Sequence, residues 1–185
     1  MSESQTPGPS APRHRFLRLR AEDRTLFHRI YTCEAVMADV GPALTPVEAD
    51  AAFQRALHHN RSRRPCHRFW ALNVSGETIG IVALLHQGDS AEVGVMLLPH
   101  AWTGRHAKPA ITRAIAHAFR TLPIHEVVAE SRDGVRERVS RRLLHPHPFE
   151  RVDAPPGRAR WRLSRAAWQS ACVAARCRPT GSAGA

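Results

Sequence analysis

From Ala107 the apolar residues fall at positions 107, 110, 111, 114, 115, 118 and 119, the spacing that turns one face of a helix toward a core. Three runs before it read as strands: FWALNV (69–74), TIGIVALLH (78–86) and AEVGVMLL (91–98). The turn sequences SGE and QGDS separate them, so they form an antiparallel meander. Upstream, RFLRLRAEDRTLF (15–27) predicts a short strand and then a helix from about Ala21, with Glu22 and Asp23 well placed against the helix dipole. TPVEADAAFQRALHH (45–59) predicts a helix with Thr45 as N-cap, Pro46 in the first position and Glu48 closing a capping box.

Downstream of the 107–119 helix, IHEVVAE (124–130) predicts another strand. VRERVSRRLL (135–144) is a second amphipathic helix, with Val135, Val139 and Leu143 on one side. FERVDAPPGRARWRLS (149–164) is a hairpin split by a Pro-Gly loop, and the tail from Ser170 begins helical. The order is β-α-α-β-β-β-α-β-α-β-β. It predicts an α/β (α+β) fold with a mixed, mostly antiparallel sheet flanked by about four helices.

Charge changes the picture. The formal net charge is +11, which points to a polyanionic or phosphorylated partner, although an arginine-rich composition also arises without one. No Asp or Glu occurs from Val93 to His125, a stretch holding Arg105, Lys108, Arg113 and Arg120; none occurs from Ala154 onward. Cys33, Cys66, Cys172 and Cys177 form no C-x-x-C pair and read as reduced thiols of a cytoplasmic protein. Residues 1–14 are Ser/Pro-rich and lack the apolar segment of a signal peptide, and no run reaches membrane-spanning length. The expected division is a tail over 1–14, one folded domain over 15–168, and a tail over 169–185.

Four stretches in this order resemble the GNAT superfamily of acyl-coenzyme A-dependent N-acyltransferases, in particular the branch of ribosomal-protein N-acetyltransferases. They are FWALNVSGETIGIVAL (69–84), AEVGVMLLP (91–99), PHAWTGRHAKPA (99–110) and SRRLLHPHPF (140–149). The resemblance implies acetyl-coenzyme A, or a longer acyl-coenzyme A, as donor. The family pattern Q/R-x-x-G-x-G/A falls on Trp102, Thr103, Gly104, Arg105, His106 and Ala107, with Arg105 where glycine is usual. It implies a pyrophosphate held by the backbone from Gly104 to Lys108, at the positive end of a helix. Pro109 is harmless in a first helical turn. The pantetheine arm is implied to pair with the backbone of Leu97 and Leu98.

Transfer from a thioester needs an unprotonated amine and a proton donor for the thiolate. Glu92, sharing a strand face with Gly94 and Met96, is the candidate base; a strand-end surface glutamate or a substrate-positioning group is the competing reading. Ser140 matches the serine of the fourth motif, although Glu137 replaces the usual Asn and Pro148 the usual Gly. Tyr31, the only tyrosine, lies far from the family's acid, which leaves water for that role. The twelve histidines show no metal-ligand spacing, while His86 and His125 are candidates for an acceptor cleft. The basic segment HHNRSRRPCHR (58–68) suits an acidic acceptor such as a peptide or protein segment, and suits a solvated face equally well.

Three functions follow: an N-acetyltransferase acting on an amine of a peptide, protein or small molecule; a non-catalytic GNAT-like module binding coenzyme A or peptide; or a basic protein associated with nucleic acid without sequence recognition. The acceptor, the acyl chain length and the oligomeric state are open at this level.

Overall fold

The computed structural model describes residues 13–62 and 67–176. Residues 1–12 of the tail expected over 1–14, residues 63–66 of the basic loop with Cys66, and the chain beyond 176 with Cys177 lie outside the described residues.

Strand β1 (His14–Arg18) leads through a 3-10 turn (Ala21–Asp23) into α1 (Arg24–Tyr31), the single-turn α2 (Glu34–Met37) and α3 (Pro46–Arg61). The meander is β2 (His67–Val74), β3 (Glu77–Gln87) and β4 (Ser90–Leu97). After a 3-10 turn (Pro99–Gly104) come α4 (Ala107–Thr121), β5 (Glu126–Arg132), α5 (Val135–Leu144), β6 (Glu150–Val152), β7 (Arg158–Ser164) and α6 (Arg165–Arg176). One seven-stranded sheet runs β1-β2-β3-β4-β5-β7-β6. Its neighbours are antiparallel except β4 and β5, which run parallel. The tail's helix thus begins at Arg165 and crosses the boundary expected at 168.

The sheet is covered on both faces. Phe69, Ala71, Ile81 and Met96 face α1 and α3, meeting Phe27, Ile30, Phe53 and Leu57. The alternate residues, among them Leu72, Val82, Leu84 and Val93, meet Ala110, Ile111, Ala114, Ile115, Ala118 and Phe119 of α4. These six are all buried and match the predicted stripe. α5 departs from its pattern: Leu144 is buried, while Val139 is 54% exposed and borders a cavity instead of core.

Side chains finish what the backbone ladders leave open. The capping box at Thr45 forms, with the Thr45 N–H donating to Glu48 (2.8 Å) and the Glu48 N–H to Thr45 Oγ1 (3.3 Å). Arg165 donates to the carbonyls of Phe119 (2.5 Å), Leu122 (2.9 Å) and Ile124 (2.8 Å), closing the C-terminal end of α4. Asn60, 2% exposed, holds both the N–H (3.0 Å) and the carbonyl (2.7 Å) of Phe69 and so docks the end of α3 on β2. Cys33 and Cys172 are free thiols. Among the described residues no helix is long and apolar enough to cross a membrane.

Candidate active site

The parallel junction is short. β4 and β5 pair at Ser90–Glu126, Ala91–Val127 and Glu92–Val128, and there the ladder stops. β4 continues on β3 to Leu97, and β5 continues on β7 to Arg132. The sheet therefore splits between two strands that each stay firmly paired on their other side. A cavity of about 530 Å³ passes through this split. On the α1 side it is lined by Tyr31, Asp39, Glu92, Met96, Glu130 and Arg158; on the α4 side by Val93, Val95, Ile111, Ser140, Leu143 and Trp161.

Register explains who faces whom. Residues paired across a ladder share a face. Glu92 pairs with Val128, and Glu130 lies two residues further along β5, so Glu92 and Glu130 point to the same side of the split. Glu130 is 3.5 Å from Arg160. Burial raises the Glu92 pKa above the ordinary carboxylate value; the Glu130 charge adds to the rise, against the opposing pull of Arg160 and Arg158. Arg158 also donates to the carbonyls of Asp39 (3.5 Å) and Val40 (3.2 Å), tying the loop after α2 to β7 across the cavity mouth.

The open edge of β4 differs from expectation. The Leu98 N–H donates to the Ile79 carbonyl (2.9 Å), and the Leu97 carbonyl accepts from the Trp102 indole (2.9 Å). Neither group is left for a strand-like ligand. In an antiparallel ladder successive residues turn their backbone groups to opposite edges. Leu98 binds β3, so Val93, Val95 and the Leu97 N–H turn toward the split. The Leu98 carbonyl in turn accepts from the Ala101 N–H (2.9 Å), starting the turn that leads to α4.

That turn explains Arg105. Its backbone is left-handed, φ 56° and ψ 23°, the conformation glycine supplies most readily. The glycine geometry is kept with an arginine in it. Gly104 is needed for another reason: a Cβ there would collide with the His106 ring. The His106 Nδ1 lies 3.1 Å from His14 Nε2, and Arg113 donates to the His14 carbonyl (2.9 Å), so the turn is tied to β1. α4 then begins with no side chain capping it and no acid in its first turn, flanked by the exposed Arg105 and Lys108. This donor set of unpaired N–H groups and two cations fits the pyrophosphate of coenzyme A. The His106 ring is already engaged, which leaves its backbone N–H for the cradle; Trp102 and Thr103 stand exposed before it.

Several residues lie elsewhere than the sequence suggests. Tyr31, set aside for distance, lines the same cavity as Glu92, and burial pushes its phenol pKa well up. Glu137 is committed to Arg151 at 2.7 Å. His86 donates to the Gly88 carbonyl (2.9 Å), and the His125 N–H to the Asp89 carbonyl (2.7 Å); neither residue lines the cavity. The described part of the basic segment 58–68 does not line it either: His58, His59 and Arg61 border a separate groove. Among the described residues no group of three or more His, Cys, Asp or Glu is placed to hold a metal. Glu130, Asp39 and Arg158 were not foreseen. The alternation in EVVAESR puts Glu130 on one face, but which face meets Glu92 depends on a parallel register that no local signal carries.

Residues 13–134 match the family model of the acetyltransferase (GNAT) domain. The spermidine N-acetyltransferase of Vibrio cholerae, solved with CoA and spermine, superposes with a TM-score of 0.70 at 18% identity, over 87% of this chain and 99% of that one. A chimera of that enzyme with hSSAT gives 0.68 at 18%, covering 84% and 98%. A domain from Methanocaldococcus jannaschii gives 0.68 at 9%, covering 83% and 99%. No curated protein matches the chain in sequence. The chain belongs to the GNAT acetyltransferase family and is an N-acetyltransferase that uses acetyl-coenzyme A.

Proposed function

We propose that the chain acetylates a small cationic amine held between Glu92 and Glu130, with Glu92 as general base. The charge of one wall carries this reading. In a chain of net charge +11, the residues lining the α1 side of the cavity include three carboxylates, Asp39, Glu92 and Glu130, and one cation, Arg158, while Arg160 pairs with Glu130 from beside the lining. An ammonium ion is attracted there and an acidic segment repelled. The likeness in fold to spermidine N-acetyltransferases supports polyamines as the first class to test.

Acetyl-coenzyme A supplies a thioester already activated toward amines. The chain's own groups do the rest. Glu92, made more basic by burial, takes the ammonium proton directly or through a water and frees the attacking nitrogen. Ser140, on the α4 side, offers a hydroxyl to the departing thiolate. Tyr31, on the α1 side, keeps its phenol proton, and its oxygen accepts a hydrogen bond from an N–H of the amine. The backbone from Gly104 to Lys108, with Trp102, Thr103 and the Arg105 guanidinium beside it, holds the pyrophosphate. Val95 and the Leu97 N–H offer the strand-like edge to the pantetheine arm.

Thiol release from acetyl-coenzyme A with spermidine, a simple monoamine and a glutamate-rich peptide tests the acceptor class. Spermidine should exceed the peptide in kcat/KM by at least about tenfold, one tenfold step being a modest charge preference. Equal or better turnover of the acidic peptide would overturn the reading.

A further inference from the structure

On the face of the sheet opposite α4 and α5, positive charge is packed without compensation. Gln54, Arg55, His58, His59 and Arg61 line a shallow groove of about 420 Å³ along α3. The His59 ring lies 6.2 Å from that of His58 and 4.5 Å from that of His67. From Ala51 to Gly76 the sequence contains no Asp or Glu.

Several arginines elsewhere are matched. Arg24 pairs with Asp50, Arg151 with Glu137 and Asp133, Arg160 with Glu130, and Arg162 with Glu126 and Glu150. Among the described residues no carboxylate bridges Arg55 or Arg61. The crowding is felt by the groups themselves. His59 holds its proton less tightly than usual, through burial and then through the charges of His67 and His58. Like charges gathered this way oppose folding, and such breaches of local rule mark surfaces kept for a partner.

We propose that this α3 surface binds the phosphate backbone of a single-stranded nucleic acid, at a site separate from the acetyl-transfer cavity. Arginine outnumbers lysine throughout, with Lys108 the sole lysine, and the planar guanidinium matches two phosphate oxygens at once. The neighbouring imidazoles add flat rings on which unpaired bases stack. Recognition of this kind tracks the backbone and not the sequence. An acidic protein offers carboxylates but no stacking bases, so the two partners are separable by experiment.

The test is fluorescence anisotropy of a labelled 20-nucleotide single-stranded RNA and its DNA equivalent, titrated with full-length protein between about 50 and 200 mM KCl. Saturable binding should weaken steeply with salt. The double variant Arg55→Gln/Arg61→Gln should weaken binding about tenfold or more at low salt and reduce the slope of log Kd against log salt by about 1.4, two contacts at about 0.7 each. Its acetyl-transfer rate should be unchanged, which also shows that it folds. Arg138→Gln/Arg142→Gln, exposed on α5 across the sheet, should leave binding within about twofold, as expected of charges outside the contact. Three results would each sink the proposal: no saturable binding at 50 mM, equal weakening by the α5 variant, or polyglutamate competing as well as RNA.

Discussion

Glu92 and Val128 are the last residues to pair across the parallel junction of β4 and β5. The base proposed for the reaction therefore stands where the sheet opens. Its backbone is fixed by β3 on one side and by β5 on the other, while its side chain faces the cavity. A carboxylate there is both rigid and partly stripped of water.

That position has a cost in stability. Glu92 titrates above the ordinary carboxylate value in the folded protein, so folding favours its protonated form. Its stabilising contribution is present below the unfolded pKa and is lost as pH rises through the folded pKa. Glu92→Gln, which cannot ionise, should raise Tm at neutral pH and change it little near pH 4, as the linkage requires. Thermal unfolding at the two pH values checks this; a lower Tm at neutral pH contradicts it.

Arg105→Gly should separate backbone from side chain. The left-handed conformation costs a non-glycine residue about 1–2 kcal/mol, partly offset by the freedom glycine gains when unfolded, so stability should hold or rise by up to about 1 kcal/mol. KM for acetyl-coenzyme A should rise severalfold if the guanidinium grips phosphate. Gly104→Ala should lose stability, because its methyl group displaces the His106 ring and with it the contact to His14. Urea denaturation and initial rates on both variants read these effects; an unchanged KM in Arg105→Gly would assign the pyrophosphate to the backbone alone.

The Trp102 indole occupies the Leu97 carbonyl and sets the start of the turn. Trp102→Phe keeps a ring but loses that donor. It should cost about 1 kcal/mol, the ordinary net value of one hydrogen bond. KM for acetyl-coenzyme A should increase more than kcat falls. Loss of kcat alone would mean that Trp102 acts on the chemistry and not on the cradle.

Arg165 reaches three carbonyls that the end of α4 leaves without N–H partners, and its guanidinium also lies over Phe119, 5.2 Å from the ring centroid. Arg165→Ala should destabilise the fold by about 2–4 kcal/mol, since half-buried carbonyls lose charged donors. Arg165→Lys should recover less than half, because an ammonium cannot span the three acceptors. Equilibrium unfolding decides it, and full rescue by lysine would contradict the geometry.

Much of this was legible in the sequence, for local reasons. The α4 stripe, the meander turns and the Thr45–Glu48 box are written in residues a few positions apart, and each forms as its pattern requires. What escaped depends on distant segments meeting. Tyr31 reaches the cavity because α1 packs against the β3 face, and Glu130 faces Glu92 through a parallel register. The resemblance gives the Leu98 backbone to the ligand, but the ladder to Ile79 already uses its N–H. The basic run 58–68 was legible as charge, while the placement of His58, His59 and Arg61 in a separate groove was not, because that follows from α3 docking through Asn60.

The role given to Glu92 is tested most directly by the pH dependence of kcat/KM for spermidine in wild type and Glu92→Gln. The wild-type rate should climb with pH through a group titrating above the ordinary carboxylate range. The variant should fall by about 10²-fold or more, the usual worth of a general base, and lose that acidic limb. A variant with wild-type rate and the same limb would show that another group takes the proton.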